Sequence, residues 1–354
     1  MRIFPLDYSE FRFIDVLPQN EEHRNDIHVV ALEGKKARWY AKKMSDHNVA
    51  VENLLSAELY RLISTHPHPG TLVAKTEDND WYSLSEDLSE THAVVGTAEL
   101  SSNPGFADVL VVSLWLHEID LKLPNLLVNR ETGAIAKIDG EYSFFSLIYH
   151  KHQHVISEET LKMLPFPHRY PTYNWLEYIR DNKSFGLREF HDPNGLPEAF
   201  EEEKNRALLR ICLLPDRFIM SICKTILFKR EQADFNDFLI ERREQIKRSA
   251  LVSHSFRAYL SSMRARSDLQ SFLEDLKTFT TQGVRIIDNS RTESLENEYM
   301  AVCRELGLPD SSSAKKENHL STYSMFASCS SSESSTAQAL SQCKTIDHSR
   351  LARL

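Results

Sequence analysis

The sequence has no closely paired cysteines: its five, Cys212, Cys223, Cys303, Cys329 and Cys343, are odd in number and spread apart. Such spacing excludes a disulfide framework and a cysteine zinc site, and it points to a reducing compartment. Long hydrophobic runs are missing too. The longest, at 109–116, is too short to span a bilayer, so no transmembrane segment is expected. The first residues carry no extended apolar stretch of the kind that directs Sec-type export. An excess of basic charge is also absent. With 51 acidic and 42 basic side chains the formal charge is −9, which argues against nucleic acid as a partner. No internal repeat is evident.

What is present suffices for a large core. With 354 residues, 41% of them hydrophobic, the chain accommodates a two-lobed body of about 300 residues. Residues 1–90 are rich in strand signals, at 11–17, 27–32 and 37–43, with a tight turn at Glu33-Gly34-Lys35-Lys36. Residues 49–63 carry apolar positions at helical spacing, and His66-Pro67-His68-Pro69-Gly70 ends that helix. Two further strands run through 81–84. From Ala107 the chain turns helical, with a buried helix over 106–116 and later helices at 173–182, 198–214, 216–230, 234–248, 254–263 and 268–280. Asp234 and Ser267 stand where N-caps belong. The serine-dense stretch 310–354 has no sustained period and is expected to remain disordered.

The chemistry-bearing stretch is 117–128, His-Glu-Ile-Asp-Leu-Lys-Leu-Pro-Asn-Leu-Leu-Val. Asp120-x-Lys122-x-x-Asn125 followed by an apolar triplet is the pattern of a protein-kinase-like catalytic loop. There an aspartate takes the proton of the attacking hydroxyl, a lysine reaches the transferring phosphoryl, and an asparagine oxygen holds a metal ion. A second acidic residue should follow after a hairpin, and Asp139-Gly140 stands 14 residues beyond Asn125, with the turn at Glu131-Thr132-Gly133. The competing reading is a polar helix-to-strand loop with a solvated ion pair. The hairpin and the Asp-Gly pair at the right distance favour the first.

A lysine of the third strand should contact the nucleotide phosphates, held by a glutamate of the following helix. Tyr40-Ala41-Lys42-Lys43 offers two. Side chains alternate along a strand, so Ala41 and Lys43 share one face and Tyr40 and Lys42 the other. The Val-Ala-x-Lys form selects Lys43, whereas a lysine directly after the small residue selects Lys42; Lys43 is the first choice here. Glu58, among small and apolar neighbours, is the first candidate for the helix partner, with Glu52 as the alternative. Three departures stand out. No Gly-x-Gly-x-x-Gly loop lies between the first two strands, where 18–26 stands instead. Asp139-Gly140-Glu141 lacks the usual phenylalanine, and the arginine expected before Asp120 is replaced by Ile119. The last change removes the receiver of an activation-loop phosphate. A basic run, Arg242, Arg243, Lys247, Arg248, Arg257, Arg264 and Arg266, reads either as a solvated helix face or as a pocket for a phosphate-dense molecule or lipid headgroup. His150, Lys151, His152 and His154 do not have metal-site spacing and read as a polar loop.

Ala57-Glu58-Leu59-Tyr60-Arg61-Leu62, Glu118-Ile119-Asp120-Leu121-Lys122 with Asn125, and Lys137-Ile138-Asp139-Gly140 resemble the atypical kinases that Legionella-type bacteria deliver through a type IV secretion system. The resemblance is greatest to the branch that depends on host inositol hexakisphosphate, and it covers about residues 10–150. It implies an α+β bilobal kinase-like fold, with a five-stranded N-lobe carrying one helix (1–90), a helical C-lobe (91–309) and the tail 310–354 as a secretion signal or a membrane- or partner-binding segment. It further implies ATP with Mg2+ or Mn2+ as cofactors and a site of action in the host cytoplasm, including the surface of a host membrane. Carried over by position, Asp120 is the base, Lys122 and Lys43 or Lys42 contact phosphate, and Asn125 and Asp139 hold metal. An inositol polyphosphate activator gives Arg242, Arg243, Lys247 and Arg248 a role.

The expected reaction is transfer of the γ-phosphoryl of ATP to a protein Ser or Thr hydroxyl. Lys122, two residues after Asp120, favours a protein over a lipid acceptor, because phosphoinositide-type kinases resemble Asp-Arg-His-x-x-Asn there. The rivals are a phosphoinositide or inositol-phosphate kinase, an AMP-transferring variant, and a pseudokinase that binds nucleotide without turnover.

Overall fold

The structure is a computed structural model that describes residues 5–17, 27–32, 34, 37–94, 100–121, 123–150, 155–164 and 196–308. Lys122, the 18–26 segment, residues 151–154, the expected helix at 173–182 and the 310–354 tail lie outside the described residues.

The architecture is α+β, a sheet-built first part followed by a helical second part, as the sequence pattern predicts. Strands β1 (Leu6–Asp7), β2 (Phe11–Leu17), β3 (Ile27–Leu32), β4 (Arg38–Met44), β5 (Thr71–Lys75) and β6 (Trp81–Glu86) form one sheet in the order β1-β5-β6-β4-β3-β2. The five expected strands are joined by β1, whose two residues pair parallel with β5. A strand that short leaves no period-2 signal to read.

Helix α1 (His47–Ile63) falls between the third and fourth expected strands. Asp46 caps it, its carboxylate accepting from the amides of Asn48 (2.7 Å) and Val49 (3.2 Å). Twelve of its residues are buried, because one side faces the sheet and the other the helical part. Beyond β7 (His92–Val94), helix α2 (Phe106–Leu116) is buried along its whole length. A helix apolar all round needs packing on every side. Strands β8 (Leu126–Asn129) and β9 (Ile135–Lys137) then form the expected hairpin and pair with β7 in a three-stranded sheet.

Two short helices, α3 (Phe145–Ile148) and α4 (Glu158–Met163), precede the main helical set. That set comprises α5 (Glu198–Leu213), α6 (Asp216–Ile226), α7 (Gln232–Val252), α8 (His254–Leu260) and α9 (Met263–Thr278). A hairpin of β10 (Thr280–Thr281) and β11 (Val284–Arg285) follows, then α10 (Thr292–Glu305). The two expected caps are corrected. Asp234 lies inside α7 and Ser267 inside α9, whose cap is Ser262, accepting from the Ala265 amide at 3.2 Å. Asp234 is the third residue of its helix and Ser267 the fifth, so a cap-type residue inside each helix displaces the apparent boundary. Helix α10 escaped the pattern because only Leu295, Tyr299 and Cys303 turn inward. Among the described residues no helix is long and apolar enough to cross a membrane.

Helix α7 locks α2 in place through polar contacts in an otherwise apolar core. The Trp115 indole donates to the Leu239 carbonyl at 3.1 Å. The fully buried Arg242 donates to the Trp115 carbonyl at 2.7 Å and to that of Leu114. A cation on the last carbonyls of a helix satisfies acceptors that have no intrahelical partner and complements the negative end of the dipole. Arg242 therefore fixes the exit from α2 into the 117–125 loop. Arg242→Met is expected to lower unfolding free energy by about 3 kcal/mol, since charged hydrogen bonds to buried carbonyls are lost. The same change at exposed Arg248 should stay within about 0.5 kcal/mol, as urea titration of the two variants would measure.

Candidate functional site

The loop leaving α2 begins at His117, which takes a left-handed conformation (φ 52°, ψ 48°) and turns the chain back on itself. Its Nδ1 and the Ser146 hydroxyl lie 2.6 Å apart. Glu118, next in line, is fully buried and accepts from the Asp120 amide (3.0 Å) with one oxygen and from the Ser143 hydroxyl (2.5 Å) with the other. Burial pushes its carboxyl up, and Lys137 and these hydrogen bonds only partly oppose that.

Asn125 closes the loop onto Asp120. Its Nδ2 donates to the Asp120 carbonyl (2.9 Å) and to Asp120 Oδ2 (3.0 Å). Both partners are acceptors, so this end of the amide must be the NH2, which leaves Oδ1 as an oxygen donor for a cation. The Ile138 amide donates to the Asn125 carbonyl at 2.9 Å and so binds the loop to the segment carrying Asp139.

Asp139 is left-handed (φ 59°), uncommon for a residue other than glycine, although aspartate tolerates it better than most. Gly140 follows by steric necessity: a Cβ there would lie 2.8 Å from Ser56 Cβ of α1. The Gly140 amide donates to Asn53 Oδ1 at 2.8 Å, and the hydroxyls of Ser56 and Ser143 are 2.7 Å apart. Helix α1 thus touches the Asp139 segment through Asn53 and Ser56, one turn apart on a single face.

The strand-β4 lysine that reaches this segment is Lys42. Its ammonium lies 3.2 Å from Asp139 Oδ2 and 2.8 Å from Glu141 Oε2. Burial works to lower its pKa, but the Asp139 and Glu141 carboxylates outweigh burial and hold it above the ordinary lysine value. Lys43, the first choice from sequence, is corrected: it is exposed and pairs with Asp80 at 2.7 Å. The Val-Ala-x-Lys form presumes that the small residue faces the site. Here Ala41 turns the other way, into a second apolar cluster with Phe11, Val30, Ala74, Tyr82 and Leu84, and carries Lys43 to that side.

Glu58 is corrected as the lysine's partner. It pairs with Arg61, whose guanidinium also bonds the Thr280 carbonyl and lies over the Phe279 ring at 4.3 Å. Five residues beyond Asn53, it projects from the far side of α1. Glu52, the alternative, is buried and pushed up to about 7 by burial, then by Glu231 and Asp46. The carboxylates on either side of Gly140, those of Asp139 and Glu141, meet Lys42 where a helix glutamate was expected. The sequence pattern assigns Glu141 no role, and its one signal is its position two residues past Asp139.

Asp120, Asp139, Glu141 and Lys42 share one electrostatic neighbourhood. The Glu141 carboxyl is raised by burial first, then by Asp139, and also by Asp120, while Lys42 opposes them. Among the described residues no three acidic, histidine or cysteine side chains converge as a metal cluster. Asn125 Oδ1 and the Asp139 carboxylate are nevertheless hard oxygen donors of the kind that Mg2+ or Mn2+ takes.

The four residues expected to hold an anionic activator separate. Arg242 is corrected, because its guanidinium is consumed by the carbonyls of α2. Arg248 is exposed. Arg243 and Lys247 line a groove of about 950 Å³ between α6, α7 and α10. Arg243 meets Asp216 (2.6 Å) and Glu244 (2.8 Å), while Lys247 meets Glu244 (2.9 Å) and Glu305 (3.2 Å). These carboxylates already answer the charge that would attract an anion.

No family model and no curated protein matches the sequence. Among solved structures, the chain is similar to the Helicobacter pylori proinflammatory kinase CtkA, with 12% identity, coverage of 70% of this chain and 99% of that one, and a TM-score of 0.45. It is also similar to the Cydia pomonella granulovirus kinase PK-1, with 13% identity, coverage of 57% and 88%, and a TM-score of 0.31. Likenesses this distant assign no role to any residue.

Beneath the Asp139 segment, buried His68 accepts at Nδ1 from the Lys137 amide (3.2 Å), and burial lowers its pKa to about 4. The unfolded chain binds this proton below the ordinary 6.5, whereas the folded chain resists it down to about 4. Stability is therefore present above pH 6.5 and falls as pH drops towards 4, by about 3 kcal/mol from this group. His68→Gln keeps an acceptor for the Lys137 amide and should flatten that part of the pH–stability curve, as denaturant titrations at pH 7 and pH 4.5 would reveal.

Proposed function

We propose that this chain is an ATP-dependent phosphotransferase of the kinase-like type. The observation that carries the reading is the meeting of Asp120, Asn125, Asp139 and Lys42 from three separate elements in one acidic cluster. Asn125 Oδ1 and Asp139 would hold Mg2+ or Mn2+, with Glu141 beside them. Bound there, the cation supplies neutralising charge for the β and γ phosphates.

Lys42 exchanges one of its carboxylate partners for phosphate oxygen. Asp120, held by Asn125 Nδ2 and by its amide on Glu118, orients the acceptor hydroxyl and takes its proton. The acceptor oxygen bonds to the γ-phosphorus as the bond to the β–γ bridging oxygen breaks, releasing ADP. Lys122 supports a protein Ser or Thr as acceptor over a lipid. Delivery by a type IV system into a host cytoplasm, action at a membrane surface and activation by inositol hexakisphosphate rest on the motif resemblance. For the activator, Arg243 and Lys247 are the residues that line a groove.

The bond of Lys42 to Asp139 and Glu141, in place of a glutamate from α1, favours a second reading, a pseudokinase that binds nucleotide without turnover.

Incubation with γ-labelled ATP, Mg2+ and a protein mixture, with and without inositol hexakisphosphate, tests the main reading. Parallel arms contain phosphoinositide vesicles, and intact mass distinguishes a gain of phosphate from a gain of AMP. Labelled Ser or Thr is expected, lost about 10²–10⁴-fold in Asp120→Asn with little change in melting temperature. Lys42→Met should lose activity and Lys43→Met should keep it. Magnesium-dependent ATP binding with no label in any arm would establish the pseudokinase instead.

A further inference from the structure

Lys137 closes β9, two residues before Asp139, and its side chain is almost wholly out of solvent at 1% exposure. A buried ammonium is costly unless its donors are used. Here Nζ donates to the Ile138 carbonyl (2.7 Å) and the Asp139 carbonyl (2.6 Å), and it lies 3.8 Å from Glu118 Oε2. Those two carbonyls belong to the peptide groups on either side of the Asp139 Cα. The orientation of the first peptide fixes φ of Asp139 and that of the second fixes ψ. One ammonium bonded to both oxygens therefore clamps the residue in its left-handed conformation, which otherwise costs about 1–2 kcal/mol.

The other side of this ion pair reaches the proposed base. Glu118 accepts from the Asp120 amide and from Ser143, whose hydroxyl meets Ser56 of α1. A single buried pair thus ties the main chain at Asp120 to the main chain at Asp139.

We propose that Lys137 is a positioning residue for the divalent cation. It is an internal ammonium that holds Asp139 in its metal-accepting conformation and, through Glu118, sets its place relative to Asp120. This inference rests on the reading of Asp139 as a metal ligand given above. Lys137 touches neither the cation nor the nucleotide; its effect passes through two peptide groups.

The test is a Mn2+ titration followed by electron paramagnetic resonance, with the full chain saturated with a non-hydrolysable ATP analogue. Lys137→Met leaves Glu118 buried without its counter-charge, so the informative variant is Glu118→Gln/Lys137→Met. The pair is neutral there, and the glutamine oxygen still accepts from the Asp120 amide. The Mn2+ Kd is expected to rise about 10–100-fold in the double variant, the usual cost of losing a partner behind a ligand. Lys43→Met should leave it unchanged, as should metal-free nucleotide affinity in both variants. A lowered melting temperature with wild-type Mn2+ affinity in the double variant would mean that the pair only stabilises the fold, and the inference would be overturned while the kinase reading stood. Absence of Mn2+ binding in the wild-type chain would overturn both.

Discussion

Glu118 is the carboxylate on which the site depends. It has no exposure to solvent, sits on the turn leaving a fully buried helix, and holds the Asp120 loop, the Asp139 segment and, through Ser143 and Ser56, helix α1. An ionisable group in that position persists only because each oxygen has a donor and Lys137 lies opposite. Breaking either partner would leave the other buried with its charge uncompensated. The arrangement is stiff for that reason, and the proposed site would need such stiffness to keep Asp120 and Asp139 in fixed relation.

The scaffold is built to deliver that relation. Apolar packing buries α2 on all sides, Arg242 from α7 satisfies its last carbonyls, and the left-handed His117 redirects the chain into the loop. From the other direction, the β8–β9 hairpin returns Asp139 beneath Asn125, and the lack of a side chain at Gly140 lets α1 approach closely enough for Asn53 to accept its amide. Lys42 enters from the sheet. Among the described residues, Asp120 and Asp139 both raise the Glu141 carboxyl while Lys42 opposes them, and the proposed divalent cation would add positive charge there.

Much of this was legible in the sequence because the candidate site is local: Asp120, Asn125, the hairpin turn and Asp139 lie within one short stretch, and their spacing nearly determines their geometry. The order of strands and the place of α1 were readable for the same reason. What escaped was set by facing rather than spacing. Lys42 and Lys43 are adjacent, and only the packing of Ala41 into the second apolar cluster decides which of them turns to the site. Glu58 has the burial expected of a lysine's partner but occupies the wrong side of α1, paired with Arg61. Arg242 sits among other basic residues in the sequence, yet its guanidinium is a core element. Lys137 and Glu118 stand within the motifs, but nothing in a linear pattern shows that a lysine two residues before an aspartate folds back onto that aspartate's own peptide groups.

A crystal structure with Mn2+ and a non-hydrolysable ATP analogue addresses the central claim most directly. The account predicts an anomalous peak about 2.1 Å from Asn125 Oδ1 and from an Asp139 carboxylate oxygen, with Lys42 Nζ on a phosphate. A nucleotide bound away from Lys42, or a metal peak with Asn125 and Asp139 turned elsewhere, would contradict it.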